Sequence, residues 1–393
     1  MLAVDREQIL AFRLSRHHLD RRLPAGSLMA AVAASGTQET SLRTASLALH
    51  ARVADVTLSD IDRTLKLDKT SLMIWAMRGA PYIVPTREAA IFTTGAQPVG
   101  EDSLRTFFGG WATSLSEAGL SLSELVAQAA ETAANVLAGR QLPVDDLRNE
   151  IAERMPQIRG LSRPSGAHAD LPEPLFRALG QRGAVCIADS RRMTDAVLAR
   201  TDEWLGEPLA SLDSEPARAE LLRRYLRCYG PSTPQAFAEW TLRSLADVRS
   251  VFRTIEAELV QVNADESPAW LLAADTNALT APVEPTGARL LPAHDPYLQQ
   301  RDRERLLPDR ELRRKLWRPV GSPGLVLLDG QAAGIWTSQR DGRALKVLVE
   351  PFARLSPSAR QAISAEADRI AALRGVDRTA MTFSPLRALS PPR

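Results

Sequence analysis

The sequence predicts an α+β chain, mainly helical, in which short helices lead repeatedly into a β-hairpin and a small β-rich unit closes the chain. Three observations predict it. Apolar and small residues recur at i, i+3, i+4 and i+7 in short stretches, as in Leu42, Ala45, Ser46, Leu49 and Val53. Each group of such stretches is followed by two short strand-like runs around a polar or glycine-containing turn. After Pro282 the pattern changes to strand-like runs separated at Asp329-Gly330 and Asp341-Gly342, the strongest short hairpin signal.

Composition bounds what the chain can be. Its 393 residues leave room for two to four domains, and 45% apolar with 24% charged residues is globular rather than disordered composition. The 49 basic and 47 acidic residues give a net charge of +2, which argues against a histone-like wrapper but leaves a local basic patch open. Only four of the basic residues are lysines (Lys66, Lys69, Lys315 and Lys346), an arginine bias that reads first as the mark of a GC-rich genome. Cys186 and Cys228 cannot build a disulfide framework or a structural zinc site, and a reducing cytoplasm is the expected compartment. The opening stretch carries Asp5, Arg6 and Glu7 and lacks a secretory h-region, and no apolar run is long enough to cross a membrane. There is no Walker A loop, dinucleotide fingerprint, HExxH or nucleophile elbow, and none of the five histidines has zinc-ligand spacing with a cysteine. Neither a metal nor a cofactor is expected.

Along the chain, residues 5–18 and 26–35 read as helices, the second stopped by Gly36. A third helix starts near Leu42, and a short fourth covers about 58–66. Met73, Trp75 and Met77 then alternate as in a strand, Gly79 allows a tight turn, and Tyr82–Val84 can return. Three or four helices ending in a hairpin is the outline of a winged helix-turn-helix unit. The outline recurs. Leu104, Phe107, Phe108, Trp111 and Leu115 form a stripe at helical spacing, Ser121 with Glu124 makes a capping box, and 142–155 is a further helix. Pro164, Pro172 and Pro174 mark an irregular segment before a helix at LFRALGQRG, a strand at AVCIAD and a wing at SRRMTDAVL. In a third copy, helices at 214–228, AFAEW and 244–257 precede strands at 259–262 and 269–272. The predicted boundaries are 1–100, 101–206 and 207–284 for three winged helices. Residues 285–393 are a C-terminal β-barrel or small sheet with a closing helix at about 357–374 and a loose tail after Val376.

Five ordered motifs carry a resemblance: Gly36-Thr37-Gln38-Glu39-Thr40 with Ala48–Val53, Trp75-Ala76-Met77-Arg78-Gly79, Tyr225-Leu226 with Tyr229-Gly230-Pro231, Leu291–Tyr297, and Asp329-Gly330 with Gly334-Ile335-Trp336. Together they resemble the winged-helix DNA-binding family that includes the AlkZ-like DNA glycosylases, over nearly the whole chain. The resemblance implies three tandem winged helices and a β-barrel arranged as a C-shaped clamp around double-stranded DNA. It further implies monofunctional hydrolysis of the N-glycosidic bond of alkylated N7-purine or bulky-adduct nucleotides, without metal or cofactor. The family's catalytic triplet, glutamine–apolar–glutamine or glutamine–apolar–aspartate, falls on Gln38, Glu39 and Thr40. The sequence departs from it at Glu39 and Thr40, and Tyr82 stands where the family has a histidine.

In an extended segment Gln38 and Thr40 face one side, and Glu39 faces the other unless the chain bends. Gln38 can hold a water or a sugar hydroxyl, and Thr40 offers one hydroxyl. An N7-alkylated purine already carries positive charge and leaves as a neutral base, so positioning a water suffices for such a lesion. Read without the resemblance, Gln38 is a loop residue, and Thr40 or Ser41 caps the helix at Leu42. Arg43 and His50 can share the polar face of that helix beside the same cleft, and Arg78 at the hairpin turn can reach phosphate. His294 and Asp295 point apart on an extended chain, which favours a turn or DNA-facing role, shared with Tyr82 and Tyr297, over a dyad. The run 301–318, with Arg301 and Arg303 at its head, holds eight basic and four acidic residues: a solvated helix face or a phosphate-contacting arm. Two alternatives remain. One is a non-catalytic winged-helix protein, either a monomeric lesion binder or a dimeric regulator with paired half-sites. The other is a protein-interaction scaffold.

Overall fold

Three small three-stranded sheets and one of five strands organise the chain, and each of the three smaller sheets pairs strands that are not consecutive in sequence. The computed structural model describes residues 2–39, 42–158, 171–190 and 195–386, and for Leu42 and Arg43 the backbone alone.

The chain starts with an element the periodicity does not reveal. Leu2–Val4 is a strand that pairs in parallel with Leu259–Ala264, far along the chain. Asp5 then caps the helix Arg6–Arg16 in a capping box: its Oδ1 accepts from the Gln8 backbone N–H at 2.8 Å, and Gln8 Oε1 accepts from Asp5 N–H at 3.0 Å. The buried face of this helix, Ile9 and Phe12, packs on Val262, Leu271 and Leu279. The N-terminal segment thus shares a core with the hairpin Leu259–Ala264 and Ser267–Leu272.

The first group of helices, Leu28–Ser35, Leu42–Arg52 and Leu58–Asp62, precedes the hairpin of strands Ser71–Trp75 and Pro81–Pro85. Met77, expected to continue the strand, belongs instead to a tight 3-10 turn at Met77–Gly79. The two-residue strand Thr37–Gln38 adds to the Pro81–Pro85 edge, with Gln38 opposite Tyr82. Gly36 makes that possible. It ends the preceding helix at φ 67°, and a Cβ there would lie 3.1 Å from Tyr82 Cδ1, so only glycine turns the chain from helix to sheet edge in one residue.

Both faces of this hairpin are covered, which explains why its strands read as nearly continuous apolar runs. Met73 and Trp75 face Phe176, Leu179 and Ile187 of the second group, while Leu72, Ile74 and Tyr82 face Tyr225, Trp240 and Phe252 of the third. Burial of each large apolar side chain contributes roughly 1.5–3 kcal/mol. Sequestering one hairpin between two neighbours is therefore what fixes their relative placement.

In the second group the predicted stripe lies on two helices, Gly100–Phe108 and Gly110–Glu117, because Gly109 breaks the chain at φ 55°. Leu104, Phe107, Phe108, Trp111 and Leu115 are nonetheless all buried in one core. Ser121 accepts from the Glu124 N–H, giving half of the expected capping box ahead of Leu122–Val136. Helix Val144–Arg154 follows. Pro174 lies in the first turn of the helix Glu173–Gly180 rather than in an irregular segment, and Pro164 falls outside the described residues. Strands Val185–Asp189 and Val197–Arg200 pair antiparallel, with Leu142–Pro143 on the outer edge. The third group, helices Ser214–Tyr229, Pro234–Thr241 and Leu245–Thr254, matches its prediction closely, with Thr233 and Ser244 as the side-chain caps of the last two.

The C-terminal unit corrects the expected barrel. Its strands run in the order Ala288–Leu291, Gly324–Leu328, Gln331–Asp341, Ala344–Pro351 and Arg378–Phe383, and the first and last do not pair, so the sheet is open. The predicted loose tail supplies that last strand, parallel to Ala344–Pro351. A parallel neighbour needs a crossover, and the helix Pro357–Leu373 is that crossover. It buries Ile363, Ala367 and Ile370 against Val326, Trp336 and Val347, covering one face of the sheet without closure. Among the described residues no helix is long and apolar enough to cross a membrane.

Candidate active site between the first, third and C-terminal units

Gln38 sits where these units meet. Its side chain is 8% exposed, and its Oε1 accepts from Gln299 Nε2 at 2.9 Å, Arg78 Nη2 at 3.3 Å and the Tyr82 hydroxyl at 3.5 Å. Arg78 Nη2 also donates to Gln299 Oε1 at 2.7 Å, and Nη1 donates to the Trp240 carbonyl at 3.1 Å. Guanidinium only donates, so its contacts with both glutamine side chains fix their oxygens toward it. The amide nitrogen of Gln38 makes no hydrogen bond among the described residues, and it is the group left for a ligand.

Three non-glycine residues around this point hold left-handed backbone: Arg78 at φ 56°, Leu242 at φ 61° and His294 at φ 63°. Such conformations cost about 1–3 kcal/mol each and persist where packing over-determines them, commonly at functional sites. At Arg78 the reason is visible. The next residue, Gly79, packs so tightly that a Cβ would lie 2.6 Å from Arg177 Cβ, which pins the hairpin turn and aims the Arg78 side chain at Gln38 and Gln299.

Two cavities open on either side of Arg78. One, of about 600 Å³, is lined by Gln38, Trp75, Arg78, Pro81, Phe176 and Leu242, with Arg148, Glu173 and Arg177 at its polar side. Trp75 and Phe176 meet edge to face, and the Arg148 guanidinium lies 4.5 Å over the Phe176 ring. An aromatic-walled cleft with a free amide donor is suited to a planar heterocycle. The other, of about 390 Å³, is lined by Arg78, His294, Gln299, Arg301, Arg303 and Arg318 among its polar residues. Burial, then the neighbouring cations Arg78 and Arg303, bring the Arg301 guanidinium down to about 10. His294, exposed at the rim, is held below its ordinary range first by the surrounding protein and then by Arg78.

Residues 31–373 match the family described as DNA glycosylase AlkZ-like. The chain belongs to that family. The interstrand DNA cross-link repair glycosylase of Streptomyces sahachiroi is 24% identical over 380 residues, covering 94% of this chain and 97% of that protein. The solved structure of the Streptomyces sahachiroi DNA glycosylase AlkZ superposes with a TM-score of 0.76 at 24% identity, over 98% of this chain and 100% of that one. The fold is shared throughout.

In this AlkZ-like glycosylase the resembling motifs converge in space, largely as ties between units. Arg52 forms a buried bidentate pair with Asp295, at 2.7 and 2.8 Å, joining the Ala48–Val53 motif to the Leu291–Tyr297 motif. The Tyr229 hydroxyl donates to the Pro296 carbonyl at 2.8 Å, and Trp336 Nε1 donates to the Leu291 carbonyl at 2.8 Å.

Of the candidate residues, Gln38, Arg78, Tyr82, His294, Arg301 and Arg303 gather around the two cavities. Tyr82 is buried with its hydroxyl toward Gln38. Glu39 directly follows Gln38 and is wholly buried, its backbone N–H bonded to the Pro81 carbonyl at 2.9 Å. Thr40 lies outside the described residues, as does the side chain of Arg43. His50 lies elsewhere, in a separate cavity of about 570 Å³ with Arg22, Asp55 and Arg369. Asp295 faces inward to Arg52, away from His294, and also accepts from the Tyr297 N–H. Tyr297 is buried edge-on to His17. Both thiols are buried and pushed up to about 12, which keeps them protonated. Sequence reasoning missed Gln299, the partner that completes the hub; its one visible signal is the Gln299-Gln300 pair between a resembling motif and the arginine run.

Proposed function

We propose that this chain is a monofunctional DNA glycosylase that hydrolyses the N-glycosidic bond of N7-alkylated or bulky-adduct purine nucleotides in double-stranded DNA. Gln38 carries the reading: it is the family's leading triplet residue, nearly buried, with its oxygen held by three donors and its amide nitrogen free beside an aromatic-walled cleft. In this mechanism water adds its oxygen to C1′ and loses a proton to solvent. The C1′–N9 bond breaks, and its electron pair departs with the base, neutralising the cationic purine. Gln38 orients that water or the sugar, Glu39 and Thr40 complete the triplet, and no cofactor is required. The relative's description as a cross-link repair enzyme supports a bulky adduct as substrate.

The helix-and-hairpin groups act as three winged helices, with the C-terminal sheet completing a C-shaped clamp on the duplex. Arg43, His50, Arg78, Tyr82, His294, Asp295, Tyr297, Arg301 and Arg303 are proposed to serve DNA binding, Asp295 and Tyr297 by holding the chain behind His294. The protein works as a monomer in the cytoplasm.

The test is release of free N7-alkylguanine from duplex DNA under single turnover. Wild type is expected to leave an abasic site, and Gln38→Ala to slow release by about 10²-fold, the usual weight of one positioned hydrogen-bonding group. Tight binding of damaged duplex with no base released from any alkylated or cross-linked substrate would make the chain a lesion binder instead.

A further inference from the structure

The cavity on the C-terminal side of Arg78 has a composition that calls for an anion. Arg78, Arg301, Arg303, Arg318 and His294 line it, and no carboxylate among the described residues does. Elsewhere the buried arginines are matched: Arg13 with Asp302, Arg52 with Asp295 and Arg243 with Asp247. Arg301 pairs with no carboxylate among the described residues, and its Nε and Nη2 are shielded from solvent with no hydrogen-bond partner, as are single donors of Arg243 and Arg289 and two of Arg218. Leaving desolvated guanidinium donors unmet is costly, and like-charged neighbours add to that cost. Arg303 is held in place by its stack on Trp317, 4.8 Å from the ring centroid, and the Arg318 Nε donates to the Lys315 carbonyl at 2.9 Å. Glu239, whose charge acts on Arg303, lies outside the lining.

We propose that this cavity seats one phosphate oxyanion of a nucleic-acid backbone, and that the seated phosphate draws Arg78 off Gln38. The proposal rests on the DNA glycosylase reading and adds a ligand site to it. Arginine forks match phosphate oxygens bidentately, and charge-assisted bonds of this kind are roughly twice as strong as neutral ones. Arg78 is shared between the cavity and the hub, where its bond to Gln38 is a long 3.3 Å. An amide oxygen has two lone pairs, and three donors already crowd that of Gln38. An incoming oxyanion therefore competes for Arg78, the donor that can leave with gain, and opens an acceptor position on Gln38 for water. Arg78 is thus a positioning residue: phosphate docking and readiness of Gln38 become one event.

Undamaged duplex DNA tests the seat without reference to base release. Arg301→Gln is expected to weaken duplex binding about tenfold while its melting temperature holds or rises, because it removes an unpaired, desolvated cation; Arg301→Lys should recover part of the affinity. A scan with single neutral methylphosphonate linkages should find one linkage whose replacement is non-additive with Arg301→Gln. In a second arm, inorganic phosphate should shift the Gln38 side-chain amide resonance in wild type and not in Arg301→Gln. Arg301-dependent phosphate binding with additive effects at every linkage would keep the oxyanion seat and assign it to a free phosphate. Additivity at every linkage together with no Arg301-dependent phosphate response would overturn it.

Discussion

At the scale of single residues, burial and charge decide which titratable groups act. His50 illustrates this. Its ring nitrogens are buried without hydrogen-bond partners, and burial, then Arg22 and Arg369, bring its pKa from 6.5 down to about 4. The unfolded chain therefore binds a proton at His50 more readily than the folded one between those values, so stability falls as pH drops from about 6.5 to 4. The full loss is up to about 3 kcal/mol, from 1.36 kcal/mol per pKa unit. Urea melts at pH 7.5 and pH 5 should show about 2 kcal/mol of this loss in wild type, from 1.36 kcal/mol per pH unit below 6.5, and a smaller one in His50→Gln. An equal loss in both would mean that His50 titrates normally. The same reasoning separates His294 from Asp295: adjacent in sequence, one lines the cation cavity and the other is locked to Arg52.

At the scale of elements, the local patterns were legible and the long-range pairings were not. The helices at Leu42–Arg52 and Ser214–Tyr229 and the hairpins at Ser71–Pro85 and Leu259–Leu272 follow from periodicity, caps and turn residues, signals written within a dozen residues. Leu2–Val4 and Arg378–Phe383 are strands only because a distant edge accepts them in parallel, which no local pattern encodes. The barrel expectation failed for the same reason: strand runs and Asp-Gly turns specify hairpins but not whether the last edge meets the first. In the site, Gln38 and Arg78 were found through motif resemblance, whereas Gln299, 261 positions from Gln38, has no spacing signal. The N-terminal helix supplies the prediction at this scale. Phe12 is buried in the core of the third hairpin, so Phe12→Ala should cost about 3–5 kcal/mol, the usual range for such a truncation. Hydrogen exchange should then quicken in Leu259–Leu272 before Ser71–Pro85. Uniform loosening of both hairpins would show that the segment does not belong to the third core.

At the scale of the whole molecule, the question is how a chain with net charge +2 grips a polyanion. Many of its arginines are tied to acids, in buried pairs such as Arg243–Asp247 and in more exposed ones such as Arg223–Glu258, and these contribute little field beyond their partner. The cations around the arginine cavity have no such partner among the described residues of its lining, so their charge is left unmatched there. Binding driven by counterion release has a log–log salt slope of about −0.9 per phosphate neutralised. Four phosphates met by this cluster and its surroundings would give a slope of about −3.6, and duplex affinity would fall on the order of 10²-fold between 50 and 200 mM salt. Arg301→Gln should make that slope shallower by about one, as expected for a lost phosphate contact. Arg223→Gln, which removes a charge already matched by Glu258, should leave it unchanged although both variants lower the net charge equally. Equal slopes in the two variants would mean that total charge, not its placement, governs DNA binding, and would remove the arginine cavity from the interface.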